Sequence, residues 1–140
     1  MTVTLPPDYR PDESEPFMNE YQAEYFRLKL LRWRGELLRG SGETLHNLQE
    51  GSTLEPDIAD RATTETERTL VLRTRDRDRK LIAKIDAAIQ RIEDGTYGYC
   101  EETGEPISLK RLEARPIATL GIEAQERHER MERTHRDVHE

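Results

Sequence analysis

The stretch "EGSTLEP", Glu50–Pro56, decides how this chain folds. Gly51 and Pro56 both break helix, and they stand between two long stretches of helical pattern, so the segment reads as a turn. A turn this short makes the flanking helices antiparallel neighbours. Working backward, Asn19 is a good N-cap, with Gln22 three residues on to bond back to it. Phe26, Leu30, Trp33 and Leu37 follow at spacings of four, three and four, the rhythm of a coiled-coil seam. Leu45 and Leu48 resume the stripe one residue out of step. Gly40 and Gly42 interrupt it; each costs about 1 kcal/mol against alanine in a helix, which predicts loosening towards the far end.

Working forward, Asp57 and Asp60 both suit the start of a second helix, which runs to Asp94 and stops at Gly95. Leu81, Ile85, Ala88 and Ile92 repeat the spacing, with Ile82 and Ile89 alongside. A helix of this length reaches about 50 Å at ~1.5 Å per residue. The expected fold is mainly α: a long antiparallel coiled-coil hairpin over residues 18–94, with its tip near 50–62. An extended arm precedes it at residues 1–17, where Pro6, Pro7, Pro11 and Pro16 disfavour helix; Phe17 is its one expected local anchor. A small module resembling a zinc ribbon follows at 95–118, then a charged C-terminal helix at 119–140. Within the module, "LKRLEARP" predicts one helical turn ending before Pro116.

Composition agrees with a stalk. Of 140 residues 34% are hydrophobic and 36% charged, which suits solvated helices with one narrow apolar stripe rather than one large core. The net charge of −7 disfavours a DNA-backbone binder, which needs clustered Lys and Arg. No apolar run approaches the ~20 residues of a membrane span. The N-terminus "MTVTLPPDYR" has no secretory pattern, so the expected location is the cytoplasm. A lone cysteine makes no internal disulfide.

That cysteine lies in "GTYGYCEETGEPISLKRLEARP", Gly95–Pro116. A four-cysteine ribbon places its ligands as two C-x2-C pairs about 15–20 residues apart. The register starting at Cys100 gives Thr103, Gly121 and Ala124 at the other three positions. One thiol binds no structural zinc, so apolar packing by Ile107, Leu109, Leu112, Ile117, Leu120 and Ile122 is expected to hold the module. A redox role for Cys100 stands against that of an inert packed thiol. His128, Glu132, His135 and His139 recur at helical spacing; that stripe suits a borderline metal, or simply a solvated face. Asp57 and Asp60, with small Ala62 behind them, form an acidic point at the hairpin tip, where one of them is needed as a cap. The tip has no cleft to tune paired carboxylates for acid–base work. "RTRDRDRK", Arg73–Lys80, reads as a helix face laced by charge pairs or as a cationic surface for an acidic partner. No phosphate-cradling glycine loop or nucleophile–base pair occurs.

"DIADRA", "LRTRDRDRKLIAKID", "IEDGTYGYCEETGEPI" and "KRLEARPIATL" resemble the DksA family of bacterial transcription factors, and "FMNEYQAEYFRLKLLRWRGELL" is similar to that family's first coiled-coil helix. The resemblance covers about residues 15–130. It implies a non-enzymatic regulator whose coiled coil enters the secondary channel of RNA polymerase, while the globular end holds the rim on the largest subunit, without contacting DNA. With the alarmone ppGpp as effector, such a factor alters open-complex stability at sensitive promoters, such as those of ribosomal RNA, in the stringent response. Carried over by position, Asp57, Asp60 and Ala62 are tip residues and Arg77 contacts the rim. Lys84 and Arg115 face ppGpp by cation–phosphate pairing. A further ppGpp-facing lysine of the family falls on Gln125, an amide without charge. The family's zinc cysteines survive only at Cys100, which implies a zinc-independent member, working as a monomer. Two other classes fit the residues: a coiled-coil adaptor that pairs two chains through the seam, and a metal hydrolase built on the histidine stripe.

Overall fold

The computed structural model describes residues 3–51 and 58–138, with side chains described for residues 3–40 and 64–134. Its helices are α1 (Glu20–Gly51), α2 (Ile58–Asp94), α3 (Leu109–Ala114) and α4 (Ile122–Val138). The turn that joins α1 to α2 lies outside the described residues, and so does Asp57. None of the described helices is long and apolar enough to cross a membrane. The chain divides into two compact units, Leu31–Asp86 and Met1–Leu30 with Ala87–Glu140.

In the unit Leu31–Asp86, α1 and α2 run antiparallel, and Arg34 Nε meets Asp86 Oδ1 at 2.7 Å. Ile85 is fully buried; Trp33, Leu37, Leu81 and Ile82 are half-covered. Two helices alone shield only the residues between them, so partial burial is the natural outcome for a seam without a third layer. The glycines do not end α1, which continues to Gly51. Their cost of ~1 kcal/mol each is small against a helix already nucleated and propagating from its packed end.

The other unit holds the main core. Phe26 and Leu30 from α1, Ala88 from α2, and Tyr97, Ile107, Leu112, Ile117, Ala118 and Ala124 beyond it are all buried. The Phe26 and Tyr97 rings lie 5.7 Å apart. Tyr97 Oη donates to the Pro116 carbonyl at 2.8 Å, so the largest core side chain also satisfies its polar end. α2 stops as the sequence requires: Gly95 takes φ 80°, and the Thr96 and Tyr97 amides both return to the Arg91 carbonyl. α3 is capped by Ser108, whose hydroxyl accepts from the Arg111 amide.

Three expectations need correction. The arm is not extended. Tight turns close from Tyr9 to Pro6, from Glu15 to Asp12 and from Asn19 to Pro16; Pro7 presets φ at the second position of the first, and the Asp12 carboxylate accepts from the Ser14 amide in the second. α4 begins at Ile122 rather than near Thr119, since the Thr119 carbonyl is occupied by the Glu101 amide at 2.9 Å. Finally, Ile122 does not pack: it is 54% exposed in the first turn of α4, while Ala124 points inward instead.

Candidate functional site

The module after α2 is a small knuckle. Tyr99 and Pro106 form an isolated antiparallel bridge, and the amides of Ile107 and Cys100 bond to the carbonyls of Gly98 and Glu105 at 2.7 and 2.8 Å. This folding brings the four ribbon positions together: Cys100, Thr103, Gly121 and Ala124 all line one cavity of about 250 Å³, beside Ser108 and Arg111. The donor set is one thiol, one hydroxyl, a bare backbone and a methyl. It does not fit a tetrahedral zinc, which takes four nitrogen, sulfur or oxygen ligands. Among the described residues, no group of three or more His, Cys, Asp or Glu is arranged to hold a metal.

The cradle that could have bound a metal thiolate now serves the thiol itself. The Thr103 hydroxyl donates to Cys100 Sγ, as do the amides of Gly121, Thr103 and Glu102; together they outweigh burial and draw its pKa down to about 7. Donors aimed at sulfur stabilise the thiolate form. Arg111 turns inward: its Nε donates to the Leu120 carbonyl at 2.9 Å, which braces the start of α4. Glu102 faces α4 from the other side, in contact with His128 Nε2 and 3.7 Å from Arg127. His128 thus faces a carboxylate of the knuckle. The side chains of His135 and His139 lie outside the described residues.

Of the contacts that fasten the knuckle to α1 and the arm, only the anchoring by Phe17 is legible in the sequence, and its partners are not. Gly98 has φ 92°, and a Cβ there would meet Met18 Cε at 2.7 Å and Phe17 at 3.1 Å. The Phe17 ring stands edge-on to Tyr99, with centroids 5.3 Å apart. Met18 itself takes φ 51°, a conformation that costs a non-glycine residue free energy. Fully buried Gln22 holds that corner. Its Oε1 accepts from the Met18 amide at 2.7 Å and its Nε2 donates to the Asp12 carbonyl at 3.2 Å. Asn19 caps α1 by accepting from the Gln22 amide at 2.8 Å, as its position predicts. α3 is tied to α1 through Glu113, which accepts from the Tyr25 hydroxyl and pairs with Lys29 Nζ at 3.0 Å. Partial burial opposes the Glu113 charge, but Tyr25 and Lys29 prevail and hold its carboxyl below the usual range.

The residues expected to meet a partner fall in both units. Asp60 and Ala62 lie in the first turns of α2, with their side chains outside the described residues. Arg77 projects from α2 with 75% of its side chain exposed, 3.8 Å from Asp78. The neighbouring charges pair along the helix, Asp76 with Arg79 at 2.8 Å and with Lys80 at 3.1 Å, as the charge-laced reading expects. Asp78, in contrast, is buried. Lys84 is exposed in the unit Leu31–Asp86, and Arg115 is exposed at the C-cap of α3 in the other unit. Gln125 is half-covered on α4 and donates to Glu129 at 3.2 Å.

Antiparallel helices in one unit and a ribbon-like knuckle in the other define a helical-hairpin protein with a ribbon-like module. The comparisons agree in detail. Residues 22–92 match the family described as "DnaK suppressor protein DksA, N-terminal domain", and residues 95–130 match the "Prokaryotic dksA/traR C4-type zinc finger". The chain belongs to the DksA family. It is 66% identical over 130 residues to the RNA polymerase-binding transcription factor DksA of Caulobacter vibrioides, covering 93% of this chain and 92% of that one. Its identity to the Escherichia coli K12 factor of the same name is 44% over 115 residues, 82% and 76% of the two chains. The structure of transcription factor DksA2 from Pseudomonas aeruginosa superposes with a TM-score of 0.79 at 44% identity, over 89% of this chain and 94% of that one. The C4 pattern of the matched zinc-finger family is reduced here to Cys100.

Proposed function

We propose that this protein is a non-catalytic regulator of transcription that binds RNA polymerase through the secondary channel. The observation that carries this reading is the 66% identity, over nearly the full length, to a relative named as RNA polymerase-binding. The fold supports it physically. The stalk spends its apolar stripe between its own helices, leaving charged faces for a reversible partner. Asp57 and Asp60 act at the tip near the polymerase active centre, with Ala62 giving clearance. Arg77, exposed and cationic, holds an acidic rim on the largest subunit. Lys84 and Arg115 supply positive charge to the phosphates of ppGpp at the interface with polymerase, and Gln125 contributes at most an uncharged hydrogen bond. The protein acts as a cytoplasmic monomer, without zinc and without touching DNA. Together with ppGpp it changes open-complex stability at ribosomal RNA promoters.

Transcription with purified cognate polymerase tests this directly. Asp60→Asn is expected to retain polymerase binding and lose promoter regulation; full regulation by that variant overturns the tip assignment. Lys84→Ala is expected to reduce the ppGpp-dependent part alone, and an unchanged ppGpp response removes Lys84 from the site. Sedimentation at micromolar concentration separates the monomer from a paired adaptor.

A further inference from the structure

A second recognition element lies in the unit that carries the knuckle. The start of α1, the end of α2 and the strand-like stretch after it form a groove of about 390 Å³, whose lining includes apolar Met18, Ala23 and Ile92, Tyr97 and Tyr99, and acidic Glu20, Glu24 and Glu93. Arg27, the one cation there, is committed: it holds Glu24 through Nε at 2.8 Å and through its second nitrogen at 2.6 Å. Glu24 is correspondingly buried. Glu20 and Glu93 are exposed and make no hydrogen bond or ion pair with any described residue. The groove therefore presents two exposed carboxylates without a hydrogen-bonded partner, Glu93 feeling the charge of Arg27 only at longer range, beside apolar and aromatic lining.

That combination suits one kind of occupant. A long basic side chain lays its methylenes on apolar surface and carries its charge to the edge. A guanidinium also gains from aromatic faces and pairs with carboxylates in two-pronged fashion, which a compact ammonium does less well. An acidic or wholly apolar segment would leave Glu20 and Glu93 repelled or desolvated without a partner. We infer that this groove receives an arginine side chain of RNA polymerase, as an anchor separate from the tip and from Arg77. The inference rests on the polymerase-binding reading above.

The experiment has two arms, both on the full chain. In the first, acetyl-arginine amide is titrated and the ring resonances of Tyr99 and the methyl of Ala23 are followed by NMR. Saturable shifts are expected, about tenfold weaker in the Glu20→Gln/Glu93→Gln variant, with no response to the acetyl-glutamate amide. In the second, polymerase affinity is measured for the wild type and the same variant. A loss of about five- to tenfold that shrinks at high salt is expected, with regulation regained at saturating protein. Absence of saturable arginine binding, equal binding by the variant, or unchanged polymerase affinity each overturns the assignment. Failure of the wild type to bind polymerase at all would instead overturn the proposed function, so the two failures are told apart.

Discussion

The unit Leu31–Asp86 and the unit that carries the knuckle are built on opposite principles. Among described side chains, the first fully buries Ile85 and covers Asp78; the second buries an extended set from Phe26 through Ala124. Leu70 and Leu72 of the stalk are 55% and 50% exposed. A pair of helices has no third layer to close over them, whereas the knuckle is wrapped by an arm, two longer helices and a short one. The difference teaches where a substitution should hurt stability and where it should hurt only recognition. The unit Leu31–Asp86 can change its surface at little cost to folding, and the unit with the knuckle cannot.

Phe26→Ala offers the sharpest test. It removes a fully buried ring and is expected to cost about 3–5 kcal/mol in urea unfolding, against less than ~0.5 kcal/mol for Leu72→Ala on the stalk. Comparable losses at the two sites would break the contrast.

Next in size is Gly98→Ala. The new Cβ would sit 2.7 Å from Met18 Cε in a left-handed backbone, so a loss of about 1–3 kcal/mol is expected, with faster cleavage by a glutamyl endopeptidase after exposed Glu13 as the arm lifts. Met18→Ala made in the Gly98→Ala background should restore part of that stability, because the clash lies with the methionine tip.

Cys100 gives a pH signature. Its folded pKa of about 7 lies below the ordinary thiol value, so folding favours the thiolate. The stability it contributes is therefore fully present above the ordinary thiol pKa and is lost as pH falls through about 7. Relative to Cys100→Ala, the wild type should gain stability between roughly pH 7 and 9, and iodoacetamide modification should show a midpoint near 7. Added zinc or chelator should leave the melting temperature unchanged, since three of the four ribbon positions carry no metal-binding thiol or imidazole.

Glu113→Gln should act more weakly. The carboxyl is held below its usual range by Tyr25 and Lys29, so its contribution is present above the ordinary glutamate pKa and fades as pH falls through the lowered value. With the side chain 39% exposed, an effect of up to ~1 kcal/mol at neutral pH is expected, vanishing in acid. Smallest of all, Arg34→Ala removes a solvent-exposed pair with Asp86 and should cost under ~0.5 kcal/mol; a larger loss would show that the stalk depends on its ion pairs.

Much of this was readable in one dimension. The stripe Phe26–Leu30 and its counterpart Ile85–Ala88 set the hairpin, because helical periodicity maps directly onto one buried face. Asn19 and Gly95 marked the helix ends because caps act within a few residues. The ribbon register at Cys100, Thr103, Gly121 and Ala124 was legible from spacing, and these four do meet in space. The roles proposed for Arg77, Lys84 and Arg115 rest on family resemblance alone, since an exposed cation leaves no trace in periodicity.

The remainder depended on tertiary structure. No local rule says that the proline-rich arm turns back to set Phe17 and Met18 against Gly98, that Glu113 ties α3 to Tyr25 and Lys29, or that Arg111 turns inward to Leu120. These contacts join residues far apart in the chain, and their geometry exists only after the helices have packed. The sequence alone determined a helical hairpin followed by a ribbon-like module whose four ligand positions retain a single cysteine. Tertiary structure alone decided that ring packing, a buried glutamine and a thiol cradled by amides would hold that module together.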